Sequence, residues 1–211
     1  MRAAVNLLGF RTVRTLATAM VVRQLAGKLE MPAQQAFATR LWEHSAHVAA
    51  LAHLIARRVT GMDPESALFG GILHEIGGFY LLSRVKEFPG LLDGLGEEWT
   101  GAGTEDDADE ISPENELGCV VLAALSVPQS VTDGIAMLWN GYLTFPPVTL
   151  GDTLLLADQL APVRSPLFKT MTENPIEMDN SLDLIVELDS LSHILNESAA
   201  EVKSLTDALR H

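Results

Sequence analysis

Of the six histidines in the chain, at positions 44, 47, 53, 74, 193 and 211, two stand where a side chain can be held inside a fold and do chemistry there. His44 shares a helical face with Leu41, Val48, Leu51 and Ile55, at offsets of three, four, seven and eleven residues, so its ring points with them toward a core. His53, nine residues on, falls on the opposite side, and His47 is turned by about 60° from His44 and can face either way. His74 is followed directly by Glu75 at the end of an apolar run, just before Gly77-Gly78, where missing side chains let another backbone come close. Asp158 is a lone carboxylate in the apolar stretch 154–161 and needs a partner if it is buried. His44, His74, Glu75 and Asp158 together offer two imidazoles and two carboxylates, the ligands that divalent cations take in hydrolytic sites. The same four groups could instead hydrogen-bond one another inside a bundle, since buried polar groups must be paired. A phosphate substrate would also call for a cationic clamp, and Arg84 and Lys86 are the nearest candidates along the chain.

The elements that must position these residues are helical. In 33–59 the apolar residues Phe37, Leu41, Val48, Leu51, Leu54 and Ile55 recur at three- and four-residue steps, with Pro32 suited to a first helical position and Gly61 closing the helix. Asp63-Pro64-Glu65 opens another, Asp63 capping and Pro64 at N1, and the pattern carries it through Leu68, Ile72 and Leu73 toward Gly77-Gly78. Further helices are expected over 10–27, from Ser112-Pro113-Glu114 to about Leu125, over 129–139 after a turn at Val127-Pro128, over 149–161 and over 190–210. No heptad persists, so the expected fold is all-α, a compact orthogonal bundle rather than a coiled coil. The chain divides into a helical domain over 1–161, an acidic loop at 93–110 within it, a linker at 162–180 rich in proline, and a C-terminal helical extension over 181–211.

Composition narrows the function classes. With 211 residues, 47% apolar, the chain can bury a core, and a formal charge of −14 argues against a nucleic-acid binder that neutralises phosphates. Residues 1–90 hold ten basic and six acidic side chains, and 91–211 hold four and twenty-two, so the acidity belongs to the second part. Cys119 is the only cysteine, which excludes an internal disulfide and a CxxC metal knuckle. No stretch approaches the roughly 20 apolar residues of a membrane span. Arg11, Arg14 and Arg23 interrupt the acid-free N-terminal stretch before a secretory apolar run can form, so the expected setting is the cytoplasm, with organelle import as the alternative.

The order His44, His74-Glu75, Asp158 resembles the His…His-Asp…Asp pattern of the HD superfamily of metal-dependent phosphohydrolases. More closely, Val5-Asn6-Leu7-Leu8-Gly9-Phe10, Leu41-Trp42-Glu43-His44-Ser45 and Gly70-Gly71-Ile72-Leu73-His74-Glu75-Ile76-Gly77 are similar to the HDOD domain, the HD-related output domain of bacterial signalling proteins. Ser126-Val127-Pro128 and Leu156-Ala157-Asp158 follow in the same order, so the resemblance covers about residues 3–161. It implies an all-helical fold of the HD/HDOD type, a bacterial origin and a role in signal transduction, without implying a reaction.

The chain departs from the hydrolase pattern in three places. Glu75 stands where the pattern has Asp, which shifts the carboxylate by about one C–C bond length, ~1.5 Å, where catalytic geometry tolerates about 0.5 Å. No histidine occurs between Glu75 and Asp158, the interval in which cyclic-dinucleotide hydrolases of the superfamily hold a second metal. Leu143 follows Gly141-Tyr142 where a GYP signature would have proline. The resemblance also implies helices ahead of Val5–Phe10. The first helices here, with Leu7, Leu8, Phe10, Val13, Leu16 and Met20, are therefore expected to expose apolar surface and to self-associate or bind a protein partner.

The expected function is a non-catalytic or vestigial HDOD module that signals through protein contacts, with no cofactor, no nucleic acid and no membrane. The alternative is a phosphohydrolase acting on a nucleotide or phosphomonoester through one divalent metal on His44, His74, Glu75 and Asp158. A third class is a sensor that binds a nucleotide or metal without turnover.

Overall fold

The alanine-rich segment around His44 forms the central helix, and the other helices are arranged on it. The computed structural model describes residues 10–25, 29, 31–87, 113–141, 144, 146–167, 193–196 and 199–210. Eight helices are found among them: α1 (Phe10–Leu25), α2 (Pro32–Ile55), α3 (Pro64–Leu73), α4 (Ile76–Arg84), α5 (Pro113–Ala124), α6 (Gln129–Asn140), α7 (Leu150–Leu160) and α8 (Ala199–Arg210). Residues 193–196 add a short helical turn, and no strand occurs among the described residues. The all-α expectation holds.

Helix α2 is buried from Leu41 to Ile55 on most of its circumference, because Ala46, Ala49, Ala50 and Ala52 let neighbours close in on several sides. Against it pack α3, α7 and α8. The contact with α3 is backbone to backbone, since a Cβ on Gly71 would lie 2.5 Å from the Ala49 Cα. Leu41, Leu54, Ile55, Ile72, Leu73, Ile76, Phe79, Leu82, Leu122, Ile135 and Leu154 fill the core from α2 through α7. Each such side chain contributes about 1.5–3 kcal/mol by leaving water.

Local signals place the helix starts. Asp63 caps α3 as its type and position suggest, its Oδ2 accepting from the Ser66 N–H at 3.1 Å, with Pro64 in the first turn. Thr149 and Asp152 form a capping box at the start of α7. Asp152 is fully buried, and its carboxylate also accepts from the Thr144 N–H and hydroxyl and from the Val148 and Thr149 N–H groups. Burial alone would raise its pKa, but these bonds hold it below the ordinary 3.8. Between α5 and α6 the chain turns at Ser126, whose φ of 53° is left-handed. The Val127 N–H bonds to the Leu122 carbonyl at 3.1 Å and the Ser126 N–H to that of Ala123 at 3.0 Å, which is a Schellman ending.

Several expectations change. The helix over 33–59 is α-helical only to Ile55 and continues as a π-turn over Ala56–Thr60, closed by Gly61 at φ 67°. The helix expected to run from Asp63 to Gly77-Gly78 stops at Leu73, and His74 and Glu75 form a turn before α4 begins at Ile76. The two glycines therefore lie inside α4, where they serve contact rather than termination. A Cβ on Gly77 would sit 1.9 Å from the Glu114 carbonyl oxygen of α5, and one on Gly78 would meet the Leu167 side chain at 2.3 Å. Residues 162–167, expected to begin a linker, pack on the bundle through buried Leu167. The terminal helix expected over 190–210 is seen as 193–196 and α8. Residues 1–9, the acidic loop at 93–110 and the rest of the expected linker, 168–180, lie outside the described residues.

Candidate functional site

The break after Leu73 brings the site together. Because His74 and Glu75 leave the helix, the His74 carbonyl is free to accept a hydrogen bond from the Trp139 indole N–H of α6 at 3.0 Å. The His74 ring turns back, its Nδ1–H donating to the Gly71 carbonyl at 2.8 Å. From α2, His44 does the same on another segment: its Nδ1–H donates to the Val163 carbonyl at 2.8 Å, just beyond α7. A carbonyl only accepts, so both rings carry hydrogen on Nδ1 and turn Nε2 toward each other.

The two Nε2 atoms lie 3.1 Å apart, with ring planes at 62°. Two bare lone pairs at that distance would repel, so a cation or a proton must lie between them. Asp158 of α7 supplies the counter-charge, its Oδ1 being 3.0 Å from His44 Nε2 and 3.9 Å from His74 Nε2. Glu75 Oε1 stands 3.7 Å and 3.9 Å from the same two nitrogens, beyond hydrogen-bond reach. Both imidazoles are about 2% exposed, whereas the carboxylates are 15% and 21% exposed, so the cluster meets solvent on its acidic side.

Charge follows this arrangement. Burial pulls the His44 pKa down, but the hydrogen bond to Asp158 and the charges of Glu75 and Asp158 outweigh it, leaving His44 above the ordinary 6.5. His74 is depressed below 6.5, by burial first and by the neighbouring His44 charge. For Asp158, burial is opposed by the His44 bond and by the charges of His74, His44 and Arg164, and its pKa lies below 3.8. The geometry lets His44 donate through Nδ1 to Val163 and, when doubly protonated, through Nε2 to Asp158, with the His74 Nε2 lone pair facing it.

All four residues singled out by sequence meet here. His44, His74 and Glu75 place one ligand atom each within 4.8 Å of one another, the one such group of three or more found among the described residues. Asp158 joins it through His44. Atoms bound to one ion at roughly 2.0–2.2 Å lie about 3–3.5 Å apart, so the imidazole pair fits a divalent cation. Both Nδ1–H groups are bonded to carbonyls, as in metal-bound histidines.

Sequence reasoning missed the Val163 carbonyl that orients His44, the Trp139 indole that ties α6 to the turn, and Arg164, whose charge acts on Asp158. No side-chain signal announces a carbonyl acceptor. Arg84, expected as a phosphate clamp, pairs with Glu87 at 3.1 Å, and Lys86 is also engaged. His47 is half-buried and donates to the Glu43 carbonyl at 2.8 Å, and His53 lies 3.2 Å from the Pro64 carbonyl, so neither enters the cluster.

The family model for the HDOD domain matches residues 1–139, which carry His44, His74 and Glu75. No curated protein and no solved structure matches the chain.

Proposed function

The chain belongs to the HDOD family, and on that premise we propose that it is a non-catalytic signalling module acting through protein contacts, its histidine cluster retained to hold the bundle together. The observation that carries this reading is the direct approach of Asp158 Oδ1 to His44 Nε2, 3.0 Å, with Glu75 Oε1 left beyond hydrogen-bond reach at 3.7 Å. At that spacing one proton on His44 would satisfy Asp158 and face the His74 lone pair, joining α2, α7 and the turn after α3 without an ion. Helix α6, which borders the turn, sends Trp139 to a carbonyl instead of offering a further ligand. Helix α1 leaves Phe10 70% and Met20 63% exposed, with Leu16 and Val21 exposed beside them, a surface suited to a protein partner or a second copy. No described helix is long and apolar enough to cross a membrane.

A second reading rests on the same cluster. His44, His74, Glu75 and Asp158 would hold a single divalent cation, with Nδ1 of each ring already fixed. The bound ion would supply an acidified water and polarise a phosphoryl oxygen. In this chain Val163 and Gly71 would orient the imidazoles, and Arg164 would add positive charge beside Asp158.

Metal analysis and a hydrolysis panel separate the two. Purified chain should carry well under one equivalent of Mn, Fe or Zn, melt at the same temperature with and without EDTA, and show no more turnover of p-nitrophenyl phosphate or cyclic dinucleotides than His44→Ala does. Stoichiometric metal together with turnover abolished by His44→Ala would overturn the contact-module reading.

A further inference from the structure

Helix α8 lies beyond the family match and occupies a face of the central helix α2. The inward residues of α8 are Val202, Thr206 and Leu209, spaced as one helical stripe. Two polar contacts fix its register. The Trp42 indole N–H donates to the Leu209 carbonyl at 3.0 Å and Arg57 pairs with Glu201 at 2.6 Å, while Asp207 pairs with Lys203 of α8 itself at 2.6 Å. The receiving face is thus apolar with Arg57 at its border, and the helix seated on it is amphipathic with Glu201 facing that arginine.

The fit has a flaw at its centre. Thr206 is the most buried residue of the stripe, 2% exposed, and its hydroxyl has no hydrogen-bond partner. A buried hydroxyl without a partner weakens the seat by about tenfold to a hundredfold relative to an aliphatic group of the same shape. The Arg57–Glu201 pair compensates little, since both side chains are well exposed. Covalent attachment favours α8 over any competitor, so a competitor succeeds only by fitting better, and Thr206 marks where a better fit is available.

We propose that this face of α2 is a helix-docking groove for a partner protein, which α8 occupies as an imperfect, displaceable substitute. The occupant is an amphipathic helix with an acidic residue at the Glu201 position and an aliphatic residue at the Thr206 position. The proposal rests on the contact-module reading and names the surface and partner chemistry for it. Recognition is of the helix-in-groove kind, with Trp42 donating to a main-chain carbonyl at the end of the bound helix.

The test uses the full chain and two fluorescein-labelled synthetic peptides covering residues 193–211, one unaltered and one with Thr206→Val, titrated by fluorescence polarisation. The Thr206→Val peptide should bind the full chain at least about tenfold more tightly than the unaltered peptide. Weakening the resident helix by Glu201→Lys in the full chain should tighten binding of both peptides, and Thr206→Val in the full chain should weaken it. Equal binding of the two peptides to all three chains, or no binding to the Glu201→Lys chain with its circular dichroism intact, would overturn the proposal. That failure would leave the hydrolysis panel unchanged, whereas turnover in the panel would defeat the contact-module reading whatever the peptides do.

Discussion

At the scale of single residues the cluster is a set of opposed titrations. His44 has a raised pKa in the fold, so its protonated form contributes stability that is fully present below the unfolded value of 6.5 and is lost as pH rises through the higher folded value. His74 is depressed, so its contribution is present above 6.5 and is lost as pH falls from there. Asp158 is depressed, and its contribution is present above 3.8 and is lost as pH falls through the lower folded value. Between 3.8 and 6.5 the His44–Asp158 bond is therefore at full strength. Asp158→Asn should cost about 1.5–3 kcal/mol at pH 6, the range for a hydrogen bond to a charged group, and less at pH 9 to the extent that His44 has lost its proton. Urea unfolding at the two pH values measures this. A cost independent of pH would show that the proton does not join the two side chains. The same substitution should bring the His44 pKa down from its raised value, read by NMR titration of the ring.

Among the elements, the turn between α3 and α4 does the most. Periodicity alone favours one helix from Asp63 through the glycines, and the apolar spacing of Leu68, Ile72 and Leu73 is indeed helical in α3. What the pattern cannot show is that α5 presses its backbone onto α4 at Gly77, which requires α4 to leave the line of α3. The turn's free carbonyl is then taken by Trp139. Gly77→Ala would place a Cβ 1.9 Å from the Glu114 carbonyl oxygen, and neither backbone can give way cheaply. The expected loss is about 3 kcal/mol or more, at the upper end for overpacking, measured as a fall in the thermal midpoint. A change within about 0.5 kcal/mol would mean that α4 and α5 are not in backbone contact. By contrast, the Asp63 cap, the Pro64 start and the Val127-Pro128 turn were legible because each depends on a few neighbouring residues.

For the whole molecule the governing quantity is a net charge of −14, concentrated after residue 90. Self-repulsion of that kind weakens the compact state at low ionic strength. Raising NaCl from 10 to 200 mM shortens the screening length from about 30 Å to under 10 Å. It should stabilise the fold by on the order of 1 kcal/mol, or about 2–4 °C in the midpoint for a chain of this size. A midpoint that falls with salt would indicate that the ion pairs, such as Arg57–Glu201 and Lys203–Asp207, outweigh the repulsion.

The sequence by itself determined that the protein is helical, where most helices start, and that His44 faces inward, because these properties arise from side chains three and four residues apart and from local caps. It also supplied the four polar residues of the cluster by type. Only the tertiary structure decided that Asp158, and not Glu75, is the partner of His44, that the chain bends at His74, and that α8 lies along α2. The carbonyl that fixes His44 comes from Val163, 119 residues away along the chain. Such pairings depend on which backbones can approach and which buried donors remain to be satisfied once the helices have packed, and no short stretch of sequence carries that information.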